Sequence, residues 1–509
     1  MKTVIDFFDA GAQRYPERIC VQKGDLRLTY AETEHASHAL GFALQHMNLA
    51  DSPVGILAPN HPLTFIAMLG TLRSGARYVP LNVRDSLDTL IWFMRFVNLG
   101  GLILDSSMAE HVQRIREEVP SIKVVIGLDQ PLEGLSVSQL CAEHENARCE
   151  PGRNLDDVAI IKSSGGTTGK PKAIMQTHRA LLAFNRTTSR FAQHEKDPVH
   201  LVIAPMTHAA GATMVCLSNQ GATHIISPSA DPAVILEQVE RERVTFMFMP
   251  PTLLYRVIAH PDARTRDCSS LEFIRYGAAP MSTEKLREGL ALWGPIFMQS
   301  YGQAEVPSVI TCLTREDHSR DGDHLGSAGR PTGACEVAIM DEQGNLLGAG
   351  ERGEIVVRGE LVTPGYYNNP EATAEVKKFG WHHTGDVGLF DANGYLHIVD
   401  RIKDMIISGG FNIYPSEIEQ LIWSHEAVQD CAVVGLPDAD WGERLTAVIE
   451  LKPGAHVDAE EIIALCKERL GSLKTPKQVE FWPSLPRSAV GKVLKKDVKT
   501  GMVDQSRSS

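Results

Sequence analysis

Short apolar runs alternate with longer amphipathic segments along most of the chain, as expected where strands and helices follow one another. Residues 54–57 predict a buried strand, a Pro-containing segment interrupts the pattern, and residues 63–72 predict a helix. Similar strand-like runs begin at Tyr78, Lys123 and His200. Strand–helix alternation predicts parallel sheets whose faces are covered by helices, so the expected fold class is α/β.

The pattern changes after about residue 325, where short strand-like runs are separated by Gly, Asp and Asn turns. These runs predict a β-rich subdomain, and they occupy residues 336–341, 353–359 and 394–400. A charged segment follows them. Beyond it, helices are predicted at 415–424 and 459–470, and strands at 432–434 and 445–451. This last part of the chain therefore predicts a small α+β domain.

Size and charge restrict the range of functions. With 509 residues the chain is too long for one hydrophobic core, so two or more domains are expected. Hydrophobic residues make up 43% and charged residues 22%, which is ordinary for a globular protein. The formal net charge of -13 argues against broad binding to nucleic acid or to anionic membranes. A local basic pocket for ATP or coenzyme A remains compatible with it.

Cysteine usage and the apolar segments predict a cytoplasmic protein without membrane insertion. The nine cysteines are an odd number without a C-x-x-C pair, so we expect free thiols and no structural zinc. The start of the chain is polar, and no signal-peptide pattern follows it. The most apolar stretch, 90–104, contains Arg95 and Asn98, which favours a buried helix and strand over a membrane span.

The densest chemical signal is the loop at 163–172, which reads Ser-Ser-Gly-Gly-Thr-Thr-Gly-Lys-Pro-Lys. An apolar strand-like run precedes it. Small residues let backbone N–H groups approach an anion, while hydroxyls and lysines add charge-assisted donors. The loop therefore predicts a polyphosphate site, although a flexible surface loop is the alternative that the loop alone leaves open.

A Walker A motif is a second alternative, and the spacing excludes it. That motif needs G-x-x-x-x-G-K followed by Ser or Thr. With Gly169 and Lys170 as its end, Ser164 stands where the first Gly belongs. Pro171 stands where the Mg²⁺-binding hydroxyl belongs.

The loop resembles the signature loop of the adenylate-forming superfamily, which includes acyl- and aryl-CoA synthetases, peptide-synthetase adenylation domains and luciferases. Further motifs that resemble this family follow in the expected order. They lie at 205–211, 250–255, 276–281, 299–305, 365–373, 383–386, 400–404, 408–415 and 485–492. So many ordered matches along nearly the whole chain make a chance resemblance negligible.

The resemblance implies a large N-terminal domain of parallel-sheet αβαβα layers with a β-rich subdomain, and a small mobile α+β C-terminal domain. The corresponding boundaries are 1–399 for the large domain, 400–404 for the hinge and 405–509 for the small domain. Lys403 resembles the hinge residue about which the small domain rotates after adenylation. The loop of Ser408, Gly409 and Gly410 would then face coenzyme A, because glycine lets the pantetheine arm pass close to the backbone.

Adenylation joins a carboxylate to the α-phosphate of ATP and expels pyrophosphate, so the site must supply positive charge and Mg²⁺. By resemblance, Glu305 is the Mg²⁺ ligand, and Asp386 accepts hydrogen bonds from the ribose hydroxyls with help from Arg401. Tyr301 and the backbone at 277–279 would form the adenine wall. The ATP-binding residues implied in this way are Ser163, Ser164, Gly165, Gly166, Thr167, Thr168, Gly169, Lys170, Lys172, Gly277, Ala278, Ala279, Tyr301, Gly302, Gln303, Ala304, Asp386 and Arg401.

Lys492 is the residue that the resemblance assigns to catalysis, as the cation that bridges the carboxylate and α-phosphate oxygens. A point charge on a flexible stem suits that role. The alternative is that Lys492 is one of several solvated lysines in a basic tail. The Pro-Arg-Ser-Ala-Val-Gly sequence before it favours the catalytic role.

The acyl pocket is predicted between the ATP site and the apolar interior. His208 occupies the family position between the two sites and would gate the pocket or position the carboxylate, with an ordinary packed histidine as the alternative. The other residues expected to line the pocket are Ala209, Gly211, Tyr276, Gly277 and Ser300. The small residues Ala209, Ala210, Gly211, Ala278 and Ala279 would leave room for a moderate acyl group.

Three positions depart from the family pattern. Gly165 replaces a common Ser, Ala173 replaces a usual Gly, and Ala304 replaces the Thr whose hydroxyl would reach the α-phosphate. Losing that hydrogen bond is expected to cost about 1–2 kcal/mol. Gly165 and Ala304 also occur in stand-alone aryl-acid adenylating enzymes, which hints at an aromatic acid, whereas the remaining motifs look more like bacterial acyl-CoA ligases.

The predicted function is an AMP-forming acid–CoA ligase that uses ATP, Mg²⁺ and coenzyme A on an apolar aliphatic, alicyclic or aromatic acid. A second hypothesis is transfer of the acyl group to a free carrier protein. A third is a non-catalytic nucleotide-binding scaffold, which retention of Lys492, Asp386 and Glu305 argues against. The family also leaves a homodimer open.

Overall fold

The computed structural model describes residues 1–150, 152–164, 171–195, 197–487 and 493–508, and the side chains of all of these except 504–508. The residues Gly165, Gly166, Thr167, Thr168, Gly169, Lys170 and Lys492, for which binding or catalytic roles are predicted, lie outside this description.

Strands β1–β26 are, in chain order, Ile19–Lys23, Leu26–Thr29, Pro53–Leu57, Arg77–Leu81, Gly101–Leu104, Val124–Gly127, Val158–Ser163, Ala173–Thr177, Val199–Val202, Thr223–Ile226, Phe246–Met249, Phe273–Gly277, Phe297–Tyr301, Thr311–Leu313, Arg330–Pro331, Glu336–Met340, Gly353–Arg358, Gly365–Tyr366, Lys377–Lys378, Trp381–Phe390, Leu396–Arg401, Ile406–Ser408, Phe411–Ile413, Val428–Asp438, Gly442–Leu451 and Gln478–Phe481.

Helices α1–α16 are Asp6–Arg14, Tyr30–His46, Pro62–Arg73, Leu87–Phe96, Val112–Glu118, Val137–Glu143, His178–Phe191, Gly211–Ser218, Pro232–Arg241, Pro251–Ala259, Thr283–Trp293, Arg315–His318, Pro370–Glu375, Pro415–Trp423, Ala459–Leu470 and Lys495–Ser508. Short 3₁₀ turns occur at Ser106–His111, Pro261–Arg264, Asp323–Gly326, Ile402–Asp404 and Ser472–Lys474, and a π-helical turn at Met206–Ala210.

Two largely parallel sheets form the body of the large domain. The first has the order β15-β14-β13-β12-β11-β9-β10-β1-β2, and the second β18-β8-β7-β4-β3-β5-β6. Helices α3 and α8 are buried almost completely, which is typical of helices packed between two apolar layers. One core cluster joins these helices to both sheets. It includes Phe65 of α3, Met214 of α8, Val21 of the first sheet and Ile56 of the second.

The outer faces of both sheets are covered by helices. Helices α9, α10 and α11 pack on the first sheet through a cluster that includes Ile235, Leu254 and Leu286. Helix α4 covers the second sheet through Leu90 and Met94. The predicted αβαβα layering is therefore confirmed.

The predicted β-rich subdomain is also confirmed. It is an antiparallel sheet with the order β16-β17-β20-β19, and β21 pairs with β20. The last sheet has the order β23-β22-β25-β24, with β26 parallel to β25. Helices α14 and α15 pack on one face of this sheet and α16 on the other, as expected for a small α+β domain.

The charged segment at 400–404 begins as the end of β21, which continues through Arg401, and its remaining residues form the 3₁₀ turn Ile402–Asp404. The stretch after the Gly-rich loop is a strand, β8, which pairs antiparallel with β7. Strands β7 and β8 therefore form a hairpin, and the Gly-rich loop connects them.

All nine cysteines lie in the described residues and carry free thiols. In the described part of the chain, no helix has both the length and the apolar character needed to cross a membrane.

Candidate active site

A cleft of about 2630 Å³ runs between the large domain and the small C-terminal domain. It is lined by residues of the Gly-rich hairpin, the π-helical turn, the ends of β12 and β13, the β-rich subdomain and α14. Predicted site residues that line it are Ser163, Ser164, Lys172, His208, Ala209, Ala278, Ala279, Ser300, Tyr301, Gly302, Gln303, Ala304, Glu305, Asp386, Arg401 and Lys403.

The base of the Gly-rich loop is closed by hydrogen bonds between its two ends. The Ser164 amide donates to the Lys172 carbonyl over 2.8 Å, and the Lys172 amide donates to Ser164 Oγ over 2.9 Å. These bonds continue the β7–β8 ladder, in which Ser163 faces Ala173. Because the described ends are fixed in register, both emerge from one edge of the second sheet.

Glu305 follows the loop after β13 and faces the cleft. Its Oε1 accepts a 2.9 Å hydrogen bond from the Tyr366 hydroxyl. Lys172 Nζ lies 4.7 Å from the centroid of the same tyrosine ring. Tyr366 is held by pairing of β18 with β8, where it faces Ile174. The tyrosine thus brings the carboxylate and the loop lysine to one wall of the cleft.

Asp386 lies on β20, buried beneath the opposite wall. Its Oδ2 accepts a 2.6 Å hydrogen bond from the Tyr301 hydroxyl, and Arg401 Nε lies 3.1 Å from Oδ1. Register places Asp386 directly opposite Arg401 in the β20–β21 ladder. Burial has the largest effect and disfavours the Arg401 charge, but Asp386, with Asp404, Tyr301 and Glu305, outweighs it in sum and raises the pKa of Arg401.

The segment between Tyr301 and Glu305 is fixed through its main chain and amide side chains. Gln176 Nε2 donates to the Ala304 carbonyl over 2.9 Å, and Gln303 Nε2 donates to the Thr384 carbonyl over 3.4 Å. These bonds join the segment to β8 and to β20. They hold Glu305 in place without the hydroxyl that Ala304 lacks.

His208 lies in the π-helical turn Met206–Ala210, where its backbone leaves helical geometry. Its Nδ1 is 3.2 Å from Thr207 Oγ1. Burial, with the nearby positive charges of Lys162 and Arg84, lowers the pKa of His208 to about 3. The imidazole is therefore neutral near pH 7.

The strand end at β12 turns sharply into the cleft. Ala278 has a left-handed φ of 68°, which is uncommon for a residue with a Cβ atom. A Cβ on Gly277 would lie 2.4 Å from the Ser300 carbonyl oxygen, so glycine is required by the close approach of β13. Gly277 therefore shapes the wall, while Ala278 and Ala279 form its surface.

The expected pocket role of Tyr276 is wrong, and Gly211 has a packing role. The Tyr276 side chain is fully buried in the first sheet's core, where its hydroxyl pairs with His318 Nε2 at 2.9 Å. Tyr276 points away from the cleft because strand residues alternate in direction and Gly277 ends the strand. Gly211 is buried at the start of α8, where a Cβ would lie 2.4 Å from the Met206 carbonyl oxygen.

The predicted coenzyme A loop lies in the small domain and away from the cleft wall. Ser408 is buried, and the Gly409 amide donates to the Trp441 carbonyl. Gly409 also packs against the Trp441 ring. In this arrangement the cleft instead receives Val493 and Lys495, which follow Lys492 in the chain.

Comparisons with known proteins agree with this geometry. The family described as AMP-binding enzyme matches residues 8–367, and the family described as AMP-binding enzyme C-terminal domain matches residues 417–492. The chain belongs to the AMP-binding enzyme family. The predicted resemblance to adenylate-forming acid–CoA ligases is thereby confirmed.

Three relatives cover nearly the whole AMP-binding enzyme. It is 36% identical over 463 residues to a medium/long-chain-fatty-acid–CoA ligase, FadD8, of Mycobacterium tuberculosis, which covers 88% of this chain and 80% of the relative. It is 36% identical over 499 residues to a feruloyl-CoA synthase of an Amycolatopsis species, with 96% of both chains covered. The structure of ATP-bound MatB from Rhodopseudomonas palustris matches with a TM-score of 0.89 and 28% identity over 98% of this chain and 99% of that chain.

Within the described residues of this AMP-binding enzyme, no cluster of three or more His, Cys, Asp or Glu side chains could hold a metal ion. A single carboxylate such as Glu305 still fits Mg²⁺, which keeps phosphate oxygens and waters as most of its ligands. Glu305 Oε2 accepts no hydrogen bond from the described residues, so it can face a cation in the cleft.

Two residues of the AMP-binding enzyme's cleft were missed by sequence reasoning. Tyr366 lies inside a quoted motif, but nothing in the motif indicated that its hydroxyl reaches Glu305. Lys162 precedes the Gly-rich loop and lines the cleft. Strand alternation could have found Lys162, because Ile161 packs in the core on one face of β7 and Lys162, the next residue, lies on the opposite face.

Proposed function

We propose that the protein is an AMP-forming acid–CoA ligase. In the first step a carboxylate oxygen of the acid attacks the α-phosphorus of ATP, and pyrophosphate leaves. In the second step the thiol of coenzyme A attacks the acyl carbon, which gives the acyl-CoA and AMP. The observation that carries the proposal is a single cleft in which Lys172, Glu305 and the Asp386–Arg401 pair meet an apolar interior.

Different charged residues of the cleft would bind the phosphate end and the nucleoside end of ATP. Lys172 and the hairpin loop would bind the phosphates, with the predicted contacts of 165–170 included. Asp386 would bind the ribose hydroxyls, and its two present partners hold the carboxylate ready for them. Tyr301 and the wall of Ala278 and Ala279 would flank the base.

Glu305 would hold Mg²⁺, and the ion would supply positive charge to the phosphate oxygens when bound. The carboxylate is oriented by Tyr366 through Oε1, which leaves Oε2 for the ion. We expect Lys172 to stay beside the Tyr366 ring, close enough for its ammonium group to help neutralise the phosphate charge.

The acid is proposed to be an apolar aliphatic or aromatic carboxylate of moderate size. Ile160, Met68 and Leu72 line the interior end of the cleft and offer no charge to a substrate tail. Relatives that act on fatty acids and on ferulate are equally similar to this chain, at 36% identity. An apolar pocket discriminates neighbouring homologues weakly, which fits a class of acids better than one compound.

The deciding experiment is ATP–pyrophosphate exchange with a panel of aliphatic and aromatic acids. Exchange with at least one acid, followed by thioester formation with coenzyme A, is expected. Thioester formation with a pantetheinylated carrier protein but not with coenzyme A would replace the acceptor in the proposal. Absence of exchange with every acid would contradict the ligase function. A homodimer and a cytoplasmic location stay predictions.

Lys492 is proposed as the cation of the adenylation step. We expect Lys492→Ala to abolish exchange and to spare thioester formation from a supplied acyl-adenylate, because the acid is then already activated. Lys467→Ala is the control, because Lys467 is an exposed lysine of the same domain that does not line the cleft. Equal loss of both half-reactions in Lys492→Ala would remove the assigned role.

A further inference from the structure

Lys162 is a lysine whose side chain enters the interior of the cleft. It lies near the end of β7, where Ala159 and Ile161 belong to core clusters and Ile160 and Lys162 line the cleft. The β7–β8 register places Ile174 directly opposite Lys162. Residues that face each other across a ladder point to the same side of the sheet. The ammonium group is therefore carried on the apolar inner face of the second sheet.

Residues from the proposed nucleotide wall and from the predicted acyl pocket both lie near Lys162. Ile174 packs on Tyr366, whose hydroxyl contacts Glu305. The charge of Lys162 acts on His208, which lines the same cleft from the π-helical turn. Lys162 is thus close enough to interact electrostatically with both Glu305 on the nucleotide wall and the predicted acyl-pocket residue His208.

Lys162 has no carboxylate partner in the described part of the chain. No hydrogen bond or ion pair of its ammonium group is formed with the described residues, and Glu305 acts on it only through space. Burial lowers the pKa of Lys162 to about 8, although Glu305 opposes the shift. A partly desolvated cation without a partner is costly, which is typical of a group that waits for an anionic ligand.

We propose that Lys162 binds the carboxylate of the acid that is to be activated and holds it beside the α-phosphate. This proposal rests on the ligase function proposed above and assigns a specific residue to its acid. The ammonium group would form a charge-assisted hydrogen bond to one carboxylate oxygen and leave the other free to attack phosphorus.

A carboxylate fits this position better than the phosphate chain does. Lys172, at the hairpin base, already faces the wall of Glu305 and Tyr366. Lys162 lies two residues before Ser164, which is about 7 Å farther along the strand at 3.3 Å per residue. Its neighbours Ile160 and Ile174 are apolar, as a site for an acyl group requires. A charge at this depth in the cleft would bind the acid away from bulk water and orient its carboxylate at the point where the acyl tail begins.

The test compares Lys162→Met, Lys162→Arg and a matched control. Lys162→Met keeps the length of the stem and removes the charge, while Lys162→Arg keeps a positive charge. Lys123→Met is the control, because Lys123 is exposed at the far edge of the same sheet, before β6. KM values for acid and for ATP are measured by exchange. Binding of sodium octanoate and sodium benzoate in the presence of AMP is measured by calorimetry.

We expect Lys162→Met to weaken carboxylate binding and raise the acid KM by about 10-fold to 100-fold, the range for loss of a charge-assisted hydrogen bond. The ATP KM should change by less than about threefold, and saturating acid should restore much of kcat. Lys162→Arg should recover part of the loss. Lys123→Met should match the wild-type protein.

Several outcomes would overturn the proposal. A rise in the ATP KM with an unchanged acid KM would assign Lys162 to the phosphates. Unchanged kinetics and binding in Lys162→Met would contradict the carboxylate-binding role of Lys162 and leave the ligase function intact. A wild-type protein that neither catalyses ATP–pyrophosphate exchange nor binds any carboxylate would contradict both the role of Lys162 and the ligase function. If Lys162→Met fails to fold, Lys162→Arg provides the test. A folded Lys162→Arg protein that does not bind the acid at all would count against a role based on charge.

Discussion

Asp386, the proposed ribose-binding carboxylate, is oriented by its neighbours. Tyr301 and Arg401 contact different oxygens of Asp386, and both come from strands that fix their positions. The carboxylate is buried, and these two partners supply the polar contacts that a buried carboxylate requires. A ribose that binds here meets an acceptor whose orientation is already set.

We expect Asp386→Asn to raise the ATP KM by about 10-fold to 100-fold, because a charged acceptor for two hydroxyls becomes a weaker neutral one and Arg401 loses its partner. Tyr301→Phe removes only one hydrogen bond and should raise the ATP KM by less than about 10-fold. ATP–pyrophosphate exchange at varied ATP measures both. A larger effect in Tyr301→Phe than in Asp386→Asn would contradict the ribose assignment.

Sequence motifs identified the charged residues Asp386, Glu305 and Arg401 of the cleft, since each stands inside a recognisable pattern. They failed where the direction of a side chain decides the role. Tyr276 belongs to a motif, yet its ring enters the core because it lies one residue before the strand end. Tyr366 acquires its contact with Glu305 only through pairing of β18 with β8, which local sequence does not indicate.

At the scale of elements, the connection between the domains is short and well held. It consists of the end of β21, the turn Ile402–Asp404 and the start of β22. The Ser416 amide donates to Asp400 Oδ2 over 2.9 Å, so the start of α14 is attached to the end of the large domain. Burial lowers the pKa of Lys403 within this turn. A rotation of the small domain would have to concentrate its dihedral changes in these few residues.

We predict that Lys403→Pro separates the two half-reactions, because proline restricts the backbone φ at the proposed hinge. Adenylation should remain within about threefold of the wild-type rate, while thioester formation from supplied acyl-adenylate should fall by at least about 10-fold. Lys403→Ala is the control for loss of the side chain alone. Equal slowing of both half-reactions in Lys403→Pro would argue against the hinge.

The hydrophobic pattern predicted the main strands and helices because buried parallel strands read as continuous apolar runs. It missed β8, whose sequence Ala-Ile-Met-Gln-Thr is short and mixed. The hairpin that β8 forms depends on its pairing with β7 and β18, a long-range property of the sheet. The order of strands in both large sheets likewise could not be predicted from local pattern.

For the molecule as a whole, buried histidines dominate the expected response to acid. Burial lowers the pKa of His38, His178, His318 and His382 to about 4, and that of His224 to about 3. An unfolded chain returns each of them to about 6.5. Between about pH 4 and about pH 6.5 the unfolded state therefore binds more protons, so stability falls as pH falls through this window.

We predict that the free energy of unfolding decreases on acidification from about pH 6.5 and is nearly flat above about pH 7 as far as these groups contribute. His178→Asn should reduce the slope of unfolding free energy against pH by up to about 1.4 kcal/mol per pH unit, because it removes one histidine whose pKa is lowered by burial. His456→Asn, at an exposed histidine, should leave the slope unchanged. Urea denaturation across this range measures it, and a slope that is identical in all three proteins would refute the explanation.

The hairpin of β7 and β8 also constrains how related sequences can change length. The side chains of Lys162 and Ile174 share one face because the ladder is in register. An insertion or deletion of one residue in β7 that shifted Lys162 by one position would exchange its direction with that of Ile161, which packs in the core on the opposite face of the sheet. Length changes within the connecting loop leave that parity intact. Viable insertions and deletions in this region should therefore collect between Ser164 and Lys172 and avoid the strands on either side.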